Sequence, residues 1–397
     1  MLKYFSFSNM AAGFVAVLVG FTSSAVLVFQ AATTAGASPE EISSWLFALG
    51  ISMAVTCIGL SLRYKVPILT GWSTPGAALL VTSLSGVTMP EAIGAFIFAA
   101  FLTFLTGITG LFEKAIALIP RALTSAMLAG ILIHFGMNIF IAMQHEIVLI
   151  GTMLISYLIG KRAFPRYVIL FVLLMGIFIA ETQGLFHLDN IHIMFASPIF
   201  TRPVFSLSTL ISVGIPLFIV TMTSQNIPGV AVLHGSGYKP PISSLITWTG
   251  LTNALLAPFG CYSICLAALT AAICTSKEAD TNPSTRYKST IFAGLCWLSI
   301  GLFGATIVAL FFAFPRELIL ALAGLALLGT IGNSLKTAID EDTQREPALI
   351  TMLISASGIS FWGIGAAFWG LIAGIVSSGI LNWRKKENIT TAATSSS

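Results

Sequence analysis

Ser73-Thr74-Pro75 have the form of a helix start, with a capping hydroxyl followed by a proline in the first turn. They lie in the uncharged stretch "ILTGWSTPGAALLVTS" (68–83), which is apolar enough for a bilayer although proline and glycine disfavour a helix interior. Because residues 68–72 are compatible with extended backbone, we predict an extended segment and then a half-helix beginning near mid-membrane. Such a break must line protein or a water-filled cavity, since its backbone groups need partners.

A second stretch, "APFGCYSICLAALTAAIC" (257–274), can form the same break from the opposite side of the membrane. Each helix start carries about half a positive elementary charge and unpaired N–H groups, so two facing starts predict an anion site that needs no lysine or arginine. The alternative is a proline kink that only improves helix packing. The residues assigned to the breaks are Gly71, Pro75, Gly76, Pro258 and Gly260.

Polar and aromatic residues near the breaks are candidates for substrate contacts. Amides are costly in hydrocarbon, so Gln225 and Asn226 are expected to face the cavity, with interhelical hydrogen bonding as the alternative. Trp72 and Tyr262 flank the half-helix starts and can stack on a flat ligand or serve only in packing. The predicted substrate-binding residues are Ser23, Ser24, Trp72, Ser73, Thr74, Gln225, Asn226, Tyr262 and Ser263.

Several kinds of chemistry lack candidate residues in this sequence. No predicted span has Asp or Glu near its centre, so His134 is the candidate for a proton-linked group, with a structural histidine as the alternative. The sequence has no HExxH motif, paired intramembrane aspartates or Walker loop, so we expect neither an enzyme nor a primary pump and assign no catalytic residue. The five scattered cysteines indicate packing, and we expect no metal site and no cofactor.

The composition is typical of a polytopic membrane protein. Of 397 residues, 56% are hydrophobic and 9% are charged, and the mean hydropathy is +0.94. With a cytoplasmic N-terminus and fourteen crossings, all Lys and Arg except Arg202 and Arg316 fall on the cytoplasmic side, which supports that orientation and places both termini inside. The predicted spans lie at about 10–31, 43–62, 66–86, 91–112, 122–143, 146–160, 166–183, 208–233, 241–257, 258–276, 288–313, 316–334, 347–361 and 362–382.

Weak internal repeats relate the two halves of the chain. A unit of seven spans is odd, so its second copy must enter the membrane from the opposite side. We therefore predict an all-α polytopic fold of two inverted seven-span repeats, with spans 3 and 10 broken by short extended stretches. The matching segments are "TMLIS" at 152–156 and 351–355, "PRAL" at 120–123 with "PREL" at 315–318, "FTSSA" at 21–25 with "MTSQN" at 222–226, and "WSTPGAAL" at 72–79 with "YSICLAAL" at 262–269; Asn138 also matches Asn333.

The sequence resembles the BenE-type benzoate/proton symporters over essentially the whole chain. The resemblance rests on "WSTPGAALL" (72–80), "MLAGILIHFG" (127–136), "SQNIPG" (224–229), "PFGCYS" (258–263) and "AALTAAIC" (267–274). This family is similar in design to nucleobase and anion transporters, which implies a core domain holding substrate beside a gate domain. The implied parts are core 1–120 and 208–314, gate 121–190 and 315–383, an extracytoplasmic connector 191–207 and a cytoplasmic tail 384–397.

The resemblance implies import of a small aromatic carboxylate such as benzoate, with proton symport, across the bacterial inner membrane. Nucleobase relatives have acidic residues where this chain has Gln225 and Ser263 to Cys265, which disfavours a nucleobase. The residues alone indicate a small, planar, anionic solute. An anion exchanger or uncoupled anion carrier of the same fold, and a nucleobase transporter, are the alternatives. The expected partners are the anion, the proton, membrane lipid and, by likeness to the fold, a second copy of the chain, but no nucleic acid.

Overall fold

Helices make up most of the computed structural model, which describes residues 6–110, 120–185, 193–267, 269–362 and 364–394. The first half contains α1 (Phe7–Thr34), α2 (Pro39–Tyr64), β1 (Thr70–Trp72), α3 (Thr74–Ser83), α4 (Met89–Ile108), α5 (Arg121–Met143), α6 (Ile147–Ala163) and α7 (Val168–Thr182). The second half contains α8 (Leu207–Gly235), α9 (Ile242–Leu256), β2 (Ile264–Leu266), α10 (Leu269–Thr275), α11 (Tyr287–Leu302), α12 (Gly304–Ala313), α13 (Arg316–Ile339), α14 (Arg345–Ser357), β3 (Ser360–Phe361), β4 (Ile364–Gly365) and α15 (Ala366–Thr394).

Seven helices in the described part of the chain are long and apolar enough to cross a membrane: α1, α2, α4, α5, α8, α13 and the Ala366–Trp383 part of α15. An eighth span results if Pro283–Leu302 and Gly304–Ala313, which are bent by 67°, count together. These criteria select fewer spans than the sequence predicts because helices such as α3, with 10 residues, and α10, with 7, are too short. The chain is therefore a helical, multi-pass membrane protein.

Two short strands meet in the interior. β1 pairs with β2 antiparallel, with Gly71 opposite Cys265. The ladder continues at both ends, because Ser73 N donates to Ser263 O at 3.0 Å and Ala267 N donates to Leu69 O at 2.9 Å. The extended segments thus satisfy each other's backbone groups, as buried backbone requires.

The two strands come from different halves of the chain, β1 from the first and β2 from the second. The bond from Ser73 N to Ser263 O joins the two segments that the "WSTPGAAL"/"YSICLAAL" match aligns. An antiparallel ladder has a local two-fold axis at each residue pair, so this register is compatible with more than one alignment of the two halves. The match therefore stays a prediction.

Helix packing places the strands at the centre of one group of helices. α2 packs along α11 and α4 packs along α9, while α5 packs against α13 and α14. The α2–α11 contact is close because glycines meet there: a Cβ on Gly50 would stand 2.6 Å from the Cα of Gly301. Small residues that let helix backbones approach are typical of membrane helix interfaces.

Helix α8 contains two π-helical segments, Leu210–Gly214 and Met222–Asn226. Each segment ends two residues before a proline, Pro216 or Pro228. A proline has no N–H for the carbonyl four residues earlier and its ring crowds that carbonyl, so a locally widened turn relieves the conflict. The second segment carries Gln225, which makes it the part of α8 that bears on the site.

Candidate functional site

A cavity of about 530 Å³ lies beside the start of α3. It is bordered by two groups of helices, those around β1 and β2, such as α1 and α8, and those that pack with α5, such as α13. Its wall includes seven of the residues predicted from the sequence as substrate-binding or break residues: Ser23, Ser24, Gly71, Trp72, Thr74, Pro75 and Gln225. They come from α1, from β1 and the start of α3, and from the π-helical segment of α8. Segments that are far apart in sequence are thus brought together around one space.

The start of α3 supplies the positive end of a helix dipole to this cavity. Ser73 is the N-cap, and its Oγ accepts the N–H of Gly76 at 3.1 Å. Ala77 N donates to Ser73 O, and Pro75 has no N–H. Among the first N–H groups of α3, that of Thr74 is therefore the one left for a ligand, fewer than an uncapped helix start would offer. Attraction for an anion comes here from the dipole as much as from donors.

Trp72 forms an aromatic wall of the cavity. It is 5% exposed, and its Nε1 donates to Ser24 Oγ at 2.7 Å. Its ring lies 5.8 Å from that of Phe21 and 5.1 Å from that of Trp297, both tilted. The indole is fixed by these contacts and presents an apolar surface next to the α3 start.

Gln225 contributes an amide to the cavity wall. The side chain is half-buried, and it has no hydrogen-bond partner among the residues that the structure describes. Thr223 and Ser224, in the same π-helical segment, line the cavity beside it. Thr223 bonds back to Ile219 O at 2.8 Å, so its hydroxyl proton is engaged. The amide of Gln225 is thus free to bind a polar ligand.

Asn226 does not face the cavity, in contrast to the prediction. It is fully buried, its Oδ1 accepts the N–H of Leu266 in β2 at 2.8 Å, and its Nδ2 lies 3.2 Å from Met222 Sδ. Its role is structural, as in the alternative that the sequence left open, but the hydrogen bond joins α8 to a strand rather than to another helix. Asn226 anchors β2 to α8.

Ser73, Tyr262 and Ser263 also lie behind the cavity wall. Thr221 Oγ1 donates to Ser73 Oγ at 2.9 Å and lies 3.1 Å from Ser263 Oγ, and Tyr262 OH donates to Ser73 O at 3.1 Å. Tyr262 is completely buried, so its ring is not available for stacking on a ligand. These polar groups hold the two broken segments together.

The second break is supported by close packing against Trp45. Pro258 lies in a 3-10 turn (Ala257–Phe259), and Gly260 follows with φ +98°. A Cβ on Gly260 would overlap the indole of Trp45, so only glycine fits. Neither residue lines the cavity; together with Gly76, which is buried in the first turn of α3, they shape the backbone around it.

His134 lies away from the cavity. It is on α5, and its Nε2 is 2.5 Å from the carbonyl oxygen of Ala356 on α14. This contact gives the imidazole a partner between α5 and α14. The geometry matches the structural role that the sequence left as the alternative.

The prediction from sequence missed residues on α5 and α13 that complete the wall. Arg121, at the start of α5, is the one charged side chain among the described residues that line this cavity. The repeat matches "PRAL"/"PREL" and Asn138/Asn333 include residues of these helices, but they indicate only symmetry between the halves. The further lining residues include Thr124, Ser125, Thr270, Trp297, Thr330, Asn333, Ser334 and Thr337.

A second cavity of about 520 Å³ adjoins the first. The two share wall residues on α1, α10 and α13, among them Ser23, Thr270 and Thr330. Lys161 and Glu278 are the charged residues that line the second cavity among those described. The two cavities therefore form a continuous space between α1 and α10 on one side and α13 on the other, and this space extends beyond the start of α3.

Comparisons with known proteins agree on a family. Residues 3–380 match the family described as "BenE: Benzoate membrane transport protein". The chain is 46% identical over 374 residues to "Inner membrane protein YdcO" of Escherichia coli (strain K12), covering 94% of this chain and 96% of that protein. It is 41% identical over 376 residues to "Benzoate membrane transport protein" of Acinetobacter baylyi (strain ATCC 33305 / BD413 / ADP1), covering 95% of each.

Solved structures share the fold at low sequence identity. The transmembrane domain of a cyanobacterium bicarbonate transporter, BicA, superposes with a TM-score of 0.62 at 13% identity, over 93% of this chain and 97% of that chain. A structure of SLC26A9 gives 0.63 at 14% identity, over 96% of this chain and 66% of that chain. Since the family match covers nearly the whole chain and identity to relatives exceeds 40%, this chain belongs to the BenE benzoate membrane transport family, a family of membrane transporters rather than enzymes.

Proposed function

We propose that this protein is a secondary transporter that imports a small aromatic carboxylate such as benzoate across the bacterial inner membrane, with proton symport. The observation that carries the proposal is the cavity at the start of α3, where the positive end of a helix dipole meets an indole wall and a free amide. The helix dipole would attract the carboxylate, and Trp72 would contact the aromatic ring. Gln225 can donate a hydrogen bond to a carboxylate oxygen.

Arg121 extends this electrostatic preference to the mouth of the cavity. It is exposed, whereas the start of α3 is buried deeper. A cation at the mouth raises the local concentration of anions and speeds their association. Arg121 would therefore steer the carboxylate towards the helix start.

The proposed architecture is fourteen spans in two inverted repeats of seven. The pairing of one strand from each half supports this, and so does the packing, because the α2–α11 contact between the halves has its counterpart in the α9–α4 contact. The helices that surround the strands form the core domain (1–120 and 208–314), and the group that includes α5, α13 and α14 forms the gate domain (121–190 and 315–383). Substrate would cross as the core moves against the gate.

The positive-inside pattern puts the N- and C-termini, the tail 384–397 and Arg121 on the cytoplasmic side, and the connector 191–207 outside. Arg121 and Thr337, both exposed, line the cavity at that side. The described conformation is therefore proposed to be open to the cytoplasm. An inner-membrane location is supported by the name of the Escherichia coli relative, and the anion substrate by that of the Acinetobacter relative. A homodimer is proposed from the likeness of the fold alone.

Uptake by purified protein in liposomes tests the function. Labelled benzoate should accumulate under an inward proton gradient, and accumulation should stop when an uncoupler collapses that gradient. Bicarbonate and uracil, supplied in the same assay, should compete poorly. Absence of benzoate uptake under the gradient would overturn the proposal.

An anion exchanger or uncoupled anion carrier of the same fold is the second candidate. Its support is that no carboxylate lines the first cavity among the described residues, so an acidic proton carrier is missing beside the α3 start. Under this alternative, benzoate uptake would persist with an uncoupler and would depend on an anion supplied on the opposite side.

A further inference from the structure

Trp297, on α11, has a buried donor without a partner. The residue is 4% exposed, it lines the first cavity, and its Nε1 has no hydrogen-bond partner among the residues described. A buried donor without a partner loses its hydrogen bonds to water and gains none, so such groups are rare and need an explanation. Among the buried side-chain atoms that lack a partner in the described structure, this one alone belongs to a residue that lines the first cavity or the one adjoining it.

Trp72 lies next to Trp297 in the same cavity wall, and its indole N–H does have a hydrogen-bond partner. Trp72 lies 5.1 Å from Trp297, with the ring planes at 58°, and its Nε1 donates to Ser24 Oγ at 2.7 Å. Two tryptophans therefore form one aromatic surface, with one N–H engaged by the protein and the other free. The hydrogen bond to Ser24 fixes the orientation of Trp72, whereas Trp297 keeps an unpaired N–H donor.

The edge of the Trp297 indole lies against a glycine on α1. A Cβ added to Gly20 would stand 3.7 Å from Trp297 Cζ2 and 3.6 Å from Thr270 Cγ2, both ordinary contact distances. Gly20, Thr270 and Trp297 all line the first cavity. The indole therefore belongs to the cavity wall, beside a position that has no side chain.

We infer that Trp297 is a specificity-determining residue, whose indole N–H donates a hydrogen bond to a carboxylate oxygen of the bound substrate. This inference rests on the proposed function, since it requires an anionic substrate in the first cavity. A hydrogen bond from a neutral donor to a charged acceptor is stronger than one between neutral groups, so binding would repay the cost of the unpaired donor. An aromatic amide, which lacks the charge, would gain less.

The test compares benzoate binding to the wild-type protein and to two variants that keep a ring but lose the N–H. Trp297→Phe and a variant with benzothienylalanine at position 297, which replaces the N–H by sulfur, should each raise the Kd for benzoate about tenfold. Trp248→Phe is the matched control, because Trp248 is 48% exposed on α9 and lines neither cavity; its Kd should not change.

The indole resonances of ¹⁵N-tryptophan-labelled protein provide a readout that a packing role would not move. The resonance missing from both Trp297 variants should shift downfield when benzoate is added to the wild-type protein. Unchanged Kd in both variants, or a resonance that stays in place while the wild type binds benzoate, would overturn the inference and leave the proposed function intact. A wild-type protein that binds no benzoate would overturn both.

Discussion

Two adjacent amides on α8 have different surroundings, which gives them different roles. Gln225 is half-buried in the cavity wall with no partner in the described structure, whereas Asn226 is fully buried and accepts the N–H of Leu266. The π-helical segment Met222–Asn226 widens the helix at this point. One amide therefore remains available to a ligand while its neighbour holds a strand.

This difference predicts opposite outcomes for two alanine variants. Gln225→Ala should weaken benzoate binding about tenfold with little change in thermal stability, because it removes one hydrogen bond to a charged ligand. Asn226→Ala should lower the melting temperature, because it leaves Leu266 N–H buried without an acceptor, at a cost of about 1–3 kcal/mol. Calorimetric titration and thermal unfolding in detergent measure the two effects. If the Asn226→Ala protein is as stable as the wild type but binds benzoate more weakly, Asn226 rather than Gln225 contacts the ligand.

The extended segment and half-helix formed by β1 and α3 are the element on which the site depends. β1 is held by backbone pairing with β2, and α3 begins at Thr74 under the Ser73 cap. Pro75 removes one N–H from the first turn and favours helical φ from that point onwards. The element is therefore built from a strand, a cap and a proline in immediate succession.

Pro75→Leu should abolish benzoate uptake in proteoliposomes while the protein still inserts in the membrane. Leucine has an N–H and a high helix propensity, so the helix can extend upstream and compete with the β1–β2 pairing. Leu79→Met, a conservative change in the buried part of the same helix, is the control and should keep uptake. Wild-type uptake by Pro75→Leu would mean that the break does not contribute to transport.

The loop after α10 ties that short helix to the start of α1. Asp280 accepts from Thr285 Oγ1 at 2.7 Å and from Asn9 Nδ2 at 3.1 Å. Arg286 donates to Thr275 O at 2.9 Å, which places a positive charge at the C-terminal end of α10. The hydrogen bonds from Thr285, Asn282 and Asn9 hold the pKa of Asp280 below its ordinary value.

This shift predicts a pH-dependent contribution to stability. Because the pKa of Asp280 is lower in the folded protein, its stabilisation is present above the unfolded-state pKa, about 3.9, and is lost as the pH falls through the folded-state value. Asp280→Asn should therefore lower the melting temperature modestly at pH 7, and its difference from the wild type should shrink below about pH 4. Asp340→Asn, an exposed position after α13, is the control. A pH-independent difference would exclude the carboxylate charge as the cause.

At the scale of the whole molecule, the two adjoining cavities lie between the helices around the β strands and those around α5 and α13. Thr330 and Asn333 on α13 and Ser23 on α1 line both cavities. A space shared by the two groups of helices would change shape if one group moved against the other. The accessibility of a residue such as Thr330 should therefore report the conformation.

A cysteine placed at Thr330 should react with a membrane-impermeant maleimide from the cytoplasmic side, and benzoate should slow the reaction. Inside-out vesicles should be labelled faster than intact cells. Arg202→Cys, exposed in the proposed outer connector, should show the opposite preference. The unmodified protein gives the background, because four of its five cysteines are buried and Cys296 is half-buried. Equal labelling of Thr330→Cys from both sides would contradict the inward-open conformation.

The sequence by itself determined the features that depend on composition and local chemistry. Hydropathy is sufficient to predict a multi-pass membrane protein, because apolar length is what a bilayer requires. Ser73-Thr74-Pro75 is sufficient to predict where α3 begins, because a cap acts within one turn of its own residues. Family membership, predicted from five short motifs, is likewise confirmed.

Only the tertiary structure decided which polar residues face the cavity. Gln225 and Asn226 look alike in the sequence, but a π-helical turn and the position of β2 separate them. Tyr262 is predicted beside the ligand, yet it is fully buried and donates to Ser73 O, and Arg121 and Trp297 come from helices distant in sequence. Burial and hydrogen-bond partners depend on which elements meet, and that is set by pairing and packing across the whole chain rather than by the residues at one position.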